Sequence, residues 1–240
     1  LGCSKNLMDT EVMLHHLMDD GYNITPEETE ADAVIINTCG FIESAKAEAI
    51  DNILDIAWLK ENKDLKAIIV TGCLAERYRG EIFESMPEVD AVIGVGAIHK
   101  ITEAVDAAIL RAENKDETAE KYSCFEDKES CALGGDRIVT TEHMAYIKIA
   151  EGCSNRCSYC AIPMIRGRMR SRTIEDIAEE AVTLDKMGIK ELCLIAQDTS
   201  AYGIDIYNKY ALVDLVREIC SRTRIPWIRL LYCYPDKITD

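Results

Sequence analysis

The stretch Tyr146-Ile147-Lys148-Ile149-Ala150-Glu151-Gly152-Cys153-Ser154-Asn155-Arg156-Cys157-Ser158-Tyr159-Cys160 decides how the chain is read. Its first four residues have the composition of a strand. A loop with three thiols in eight residues follows. Beyond it the apolar spacing predicts a helix over 174–187 that stops at Gly188. The strand Leu192-Cys193-Leu194-Ile195, a helix over 212–220 and the strand Trp227-Ile228-Arg229-Leu230-Leu231 continue the alternation. Strands alternating with helices of this length build parallel βαβ units, here the start of a βα barrel. A closed eight-strand barrel takes about 250 residues. Only three repeats fit before Asp240, so the chain is expected to stop inside its second domain.

The same rhythm runs upstream. Ala33-Val34-Ile35-Ile36, Ala67-Ile68-Ile69-Val70 and Ala91-Val92-Ile93 read as strands, and 7–18, 45–59 and 98–110 as helices. A polar stretch between them and the second unit ends in Gly134-Gly135 and reads as a linker. The expected organisation is an N-terminal α/β domain at 1–111, a linker at 112–142 and an incomplete barrel at 143–240. The chain opens at Leu1-Gly2-Cys3 without Met, so a preceding segment is expected.

Composition narrows the function classes. The 240 residues carry 27 Lys and Arg and 43 Asp and Glu, a net charge of −16. The imbalance lies in residues 1–125, with 11 bases and 25 acids. An acidic surface repels a phosphate backbone, so the charge argues against nucleic acid and for a basic protein as partner. The longest uncharged run, 33–42, is half of the ~20 residues a membrane helix needs. Eleven cysteines, an odd number, with no secretory signal argue against a disulfide framework and for thiolate ligands in a reducing, cytoplasmic setting.

Two cysteine sets carry the chemistry. Cys153, Cys157 and Cys160 have no local fourth ligand, whereas closed zinc sites want four. Thiolates also hold iron–sulfur clusters, and three leave one iron of a cubane open to a ligand. A zinc knuckle with a distant fourth ligand is the alternative. Cys3, Cys39 and Cys73 each lie beside a glycine and before a helix, 36 and 34 residues apart. In a parallel sheet such positions share one edge, where ligands bind. The alternative is three unrelated buried thiols. Between Gly152 and Ile174 there is no acid but five arginines, of which Arg166 and Arg172 suit a carboxylate-bearing ligand and Arg168 and Arg170 equally suit a solvated surface. Cys193, Cys220 and Cys233 read as packing residues, Met8, Met13 and Met18 as a core stripe, and Cys124 and Cys131 as linker residues without a role.

The CxxxCxxC spacing with Tyr159 before its last thiol resembles the radical S-adenosylmethionine enzymes. Leu1-Gly2-Cys3-Ser4-Lys5-Asn6, Asn37-Thr38-Cys39-Gly40 and Thr71-Gly72-Cys73-Leu74 resemble the motifs of the methylthiotransferases within that superfamily. The stretches Ala161-Ile-Pro-Met-Ile-Arg-Gly167, Ala196-Gln197-Asp198-Thr199 and Arg229-Leu-Leu-Tyr-Cys-Tyr-Pro235 are similar to the type that modifies a ribosomal protein rather than transfer RNA. The resemblance implies two [4Fe-4S] clusters, one on Cys153, Cys157 and Cys160 and a second, sulfur-carrying one on Cys3, Cys39 and Cys73. It implies S-adenosylmethionine as both methyl donor and radical source, and methylthiolation of an aspartate β-carbon in a small-subunit ribosomal protein. Methylthiolation of a transfer-RNA adenosine is the alternative. A flavodoxin-like or ferredoxin-like electron donor is implied, as are further barrel strands and a small C-terminal β domain. No catalytic residue beyond the cluster ligands is implied. Tyr159, Arg166, Arg172, Gln197, Asp198 and Arg229 are expected near cofactor or substrate, Asp198 alternatively as the cap of a turn.

Overall fold

A computed structural model of the chain describes residues 1–114, 120–129 and 133–237. The fold divides into two compact units, Leu1–Cys131 and Ala132–Asp240.

The first unit opens with α1 (Ser4–Asp19), whose Met8, Met13 and Leu17 are buried. It continues through β1 (Ala33–Thr38), α2 (Glu43–Asn62), β2 (Ala67–Gly72), α3 (Cys73–Tyr78), α4 (Glu81–Ser85), β3 (Ala91–Ile93), α5 (Ile101–Asn114) and β4 (Tyr122–Cys124). The four strands form one parallel sheet in the order β1-β2-β3-β4. Strand β2 is buried throughout, as a central parallel strand must be when helices cover both faces. Its residues alternate between the two cores. Ile68 and Val70 join Ile53 of α2, Leu74 of α3 and Ile82 of α4. Ala67 and Ile69 join Met13 of α1 and Ala104 and Val105 of α5. The register pairs Thr38 with Gly72, so β1 and β2 end level, and Cys39 and Cys73 are the next residue of each chain.

The second unit contains β5 (Met144–Lys148), β6 (Ala150–Glu151), α6 (Ile162–Arg166), β7 (Arg170–Ser171), α7 (Ile174–Lys186), β8 (Glu191–Ile195), α8 (Ile204–Tyr207), α9 (Leu212–Arg222) and β9 (Trp227–Leu230). Strands β5, β8 and β9 pair in parallel in that order, with α7 and α9 as the crossovers. Ile147, Leu192 and Leu194 pack on Ile177, Ala181 and Leu184 of α7 and on Leu215 and Ile219 of α9. Thr173 caps α7 by accepting a hydrogen bond from the Asp176 amide. This is the α/β arrangement the alternation predicts, including the opening repeats of a βα barrel.

Several expectations change in detail. The helix expected over 98–110 is split: a 3-10 segment covers Val95–Lys100, with Ala97 off helical geometry, and α5 begins at Ile101. The expected linker at 112–142 is not all connection. Its Tyr122–Cys124 pairs with Ala91–Ile93 as the fourth strand, and Gly94 N donates to the Cys124 carbonyl at 2.9 Å. Three residues among charged neighbours are too short to show a period. Cys124 is therefore a strand residue, while Cys131 lies outside the described residues. Cys220 and Met18 are exposed rather than packed, each on the outer side of an amphipathic helix.

Candidate metal centres

The first cysteine set is held together by amides. Cys3 caps α1, and one turn on, Asn6 is 1% exposed. The Cys3 Sγ lies 3.6 Å and the Cys73 Sγ 3.8 Å from the same Asn6 Oδ1, so the two sulfurs are no further apart than those distances combined. The Asn6 Nδ2 donates to the Thr38 carbonyl at 2.9 Å and to the Asn37 Oδ1 at 3.1 Å. Asn37 Nδ2 donates back to the Asn6 carbonyl (2.8 Å) and to Thr10 Oγ1 (3.0 Å). The end of β1, and with it Cys39, is thereby fastened to the start of α1.

Glycines bring the segments this close. A Cβ on Gly40 would stand 2.8 Å from the Cys73 carbonyl oxygen, and one on Gly72 would stand 2.3 Å from Asn37 Oδ1. Gly72 also has φ +92°, a backbone state costly for other residues. All three cysteines are free; Cys73 is buried, Cys39 half-buried and Cys3 exposed.

The second set sits in a loop clamped at its base by the antiparallel ribbon of β6 and β7. Cys153 N donates to the Gly167 carbonyl (3.1 Å), Met169 N to Ser154 Oγ (3.2 Å), and Cys160 N to the Cys157 carbonyl (3.0 Å). Burial pushes the Cys153 thiol up, against a backbone hydrogen bond at Asn155 that lowers it.

Beneath the loop lies a buried ionic cluster. Glu151 Oε2 meets Lys148 Nζ at 2.8 Å and Arg166 Nη1 at 3.0 Å, and Glu151 Oε1 accepts from Gln197 Nε2 at 2.7 Å. Burial alone would raise the Glu151 carboxyl, but the two cations outweigh it and hold it well below the usual carboxylate range. Gln197 Oε1 is buried and accepts no hydrogen bond.

The other expected site residues separate. Asp198 is buried and accepts from Asn155 Nδ2 (2.8 Å), Ser200 Oγ (2.8 Å), the Ala201 amide (3.2 Å) and Lys237 Nζ. It caps the turn Thr199–Ala201 and ties it to the cysteine loop. Burial opposes its ionisation, yet Lys237, Asn155 and Ser200 hold its carboxyl below the usual value. Arg172 is not turned to the thiols: its guanidinium meets Asp176 (2.6 Å) and Glu180 (2.5 Å) of α7 and the Lys148 carbonyl (3.1 Å). Arg229 lies within β9, half exposed, and pairs with Glu191 at the opposite end of β8 from Gln197. Tyr159 is 83% exposed at the loop tip. Reading the sequence for ligands missed Asn6, Asn37, Lys148 and Glu151 as working residues, although Asn6 and Asn37 stand inside the quoted motifs.

Among the described residues, no three His, Cys, Asp or Glu side chains converge on a point that would hold a single metal ion.

The chain is similar to known proteins along its length. Residues 1–94 match the Uncharacterized protein family UPF0004, and residues 147–236 match the Radical SAM superfamily. All of the chain aligns with curated relatives named ribosomal protein uS12 methylthiotransferase RimO, at 50% identity in Thermoanaerobacter sp. (strain X514) and 48% in Desulforamulus reducens and Acetivibrio thermocellus. The chain is thus similar along its whole length to these methylthiotransferases, and over residues 147–236 to the radical S-adenosylmethionine enzymes. It spans about half the length of these methylthiotransferases, 53% of each of the three. Two structures of the radical S-adenosylmethionine methyltransferase TsrM from Kitasatospora setae share the fold, with TM-scores of 0.55 and 0.54 at 13% and 14% identity. Each covers 92% of this chain, which in turn covers 49% and 50% of theirs. No helix among the described residues is long and apolar enough to cross a membrane.

Proposed function

We propose that this chain carries the two iron–sulfur sites of an enzyme that methylthiolates an aspartate β-carbon in ribosomal protein uS12. The observation that carries the reading is the joint presence of two cysteine trios, one beside the level ends of parallel strands β1 and β2 and one in the loop after β6. Cys153, Cys157 and Cys160 would hold one [4Fe-4S] cluster and Cys3, Cys39 and Cys73 the other. When bound, the clusters and S-adenosylmethionine would supply the radical that activates the substrate carbon and the methylthio group it receives.

The chain's own residues prepare that setting. Lys148 and Arg166 converge on Glu151 in a buried ionic cluster that also holds the Gln197 amide nitrogen. The unpartnered Gln197 oxygen offers an acceptor to an amino or hydroxyl group of a bound ligand. Asp198 holds the cysteine loop through Asn155 rather than meeting the cofactor itself. The acidic balance of residues 1–125 favours a basic ribosomal protein over RNA. A flavodoxin-like or ferredoxin-like reductant in the cytoplasm would supply electrons.

The test uses reconstituted full-length protein with S-adenosylmethionine, a low-potential reductant, and either uS12 or transfer RNA. A methylthio mass gain on the aspartate of uS12 is expected. Product on RNA alone would overturn the substrate assignment.

A further inference from the structure

We infer that Asn6 is a positioning residue that gathers the three thiol-bearing segments of the first unit before any metal binds; the inference rests on Cys3, Cys39 and Cys73 being one ligand set. Three segments far apart in sequence meet on this one buried carboxamide. Its oxygen faces the thiols of Cys3 (3.6 Å) and Cys73 (3.8 Å), 67 residues apart from Asn6 in the second case. Its two N–H protons are committed to the Thr38 carbonyl, directly before Cys39, and to Asn37. Asn37 returns a hydrogen bond to the Asn6 backbone and so fixes which way the amide faces.

A carboxamide is suited to this task. A thiol is a weak donor and an amide oxygen can accept from two of them, while the amide nitrogen supplies donors on the other side. Aspartate would keep the oxygen but lose both donors. Glutamine would carry the group one methylene too far. Thiols give up their protons when they bind metal, so the S–H contacts belong to the metal-free protein. Asn6 therefore acts on cluster assembly: the cost of closing two long loops is met on folding instead of on metal binding.

The experiment uses the full chain with Cys153, Cys157 and Cys160 changed to Ala, so that only the first set reports. Anaerobic iron and sulfide uptake is followed by visible absorbance and iron per chain, and a short bifunctional thiol reagent measures Cys3–Cys73 cross-linking in the metal-free protein. Asn6→Ala and Asn6→Gln are expected to weaken uptake about 10- to 100-fold, the usual effect of removing a partner that orients ligands, and to abolish the cross-link. Ile53→Ala, a core truncation in α2 away from the thiols, controls for lost stability and should keep both readouts. If Asn6→Ala does not fold, Asn37→Ala removes one of the same contacts, the acceptor of Asn6 Nδ2, together with the hydrogen bond to the Asn6 backbone, and is expected to fall in the same direction. Uptake and cross-linking unchanged in Asn6→Ala, while Cys39→Ala takes up no cluster, would overturn the role of Asn6 and leave the ligand set standing. Uptake unchanged in Cys39→Ala would overturn the ligand set itself.

Discussion

Asp198 accepts a hydrogen bond from Asn155 at 2.8 Å, across 43 residues of chain, and so fastens the turn after β8 to the loop that carries Cys153, Cys157 and Cys160. The same carboxylate caps that turn and takes Lys237. One buried acid thus sets the position of the loop relative to the barrel strands. Asn155→Ala should leave the fold intact and reduce iron retention at the second set about tenfold, the lower end for an orienting contact. Iron per chain after chelator challenge measures it.

The pH dependence of Asp198 has a definite sign. Its carboxyl is held below the ordinary Asp value of about 3.9. Its contribution is full above that value and fades as pH falls through the lower, folded-state one. Asp198→Asn should therefore melt below the parent at neutral pH, with the gap closing below about pH 4. A constant gap down to pH 2 in thermal scans of the metal-free protein would count against the assignment.

Glu151 is shared by two buried cations. Glu151→Ala removes the carboxylate that Lys148 and Arg166 have in common and should destabilise the second unit by about 3–5 kcal/mol, as breaking a buried pair does. Arg229→Ala breaks the pair with Glu191, which solvent screens, and should leave the denaturation midpoint almost unmoved. Urea unfolding of both variants compares them directly.

At Gly72 an alanine meets two obstacles, φ +92° and Asn37 Oδ1 at 2.3 Å from its Cβ. The left-handed backbone and the overlap together predict a loss of about 2–4 kcal/mol. Faster amide exchange at Asn6 and Thr38 would show that the strain opens the amide latch locally.

How much of this was legible follows from the kind of signal each feature leaves. Strands β1, β2 and β3 are short apolar runs bounded by turn residues, and their pattern is visible. The thiols announce themselves by type and spacing. Arg166 and Arg172 look alike in sequence, yet one turns to Glu151 and the other to the acids of α7, because partners from distant elements choose the direction. Asn6 and Asn37 carry no period and no unusual chemistry; only their hydrogen bonds in the folded chain show that they meet. Strand β4 exists by pairing with β3 and leaves no mark of its own.

That last strand has a practical consequence. Its three residues shield the backbone of Ala91–Ile93, and the following Phe125 packs against the core of α2, α3 and α4. A fragment ended after α5 would bare a flat, apolar strand margin, a template for self-association. Recombinant versions of the first unit should therefore run through Glu129, and shorter ones are expected to precipitate.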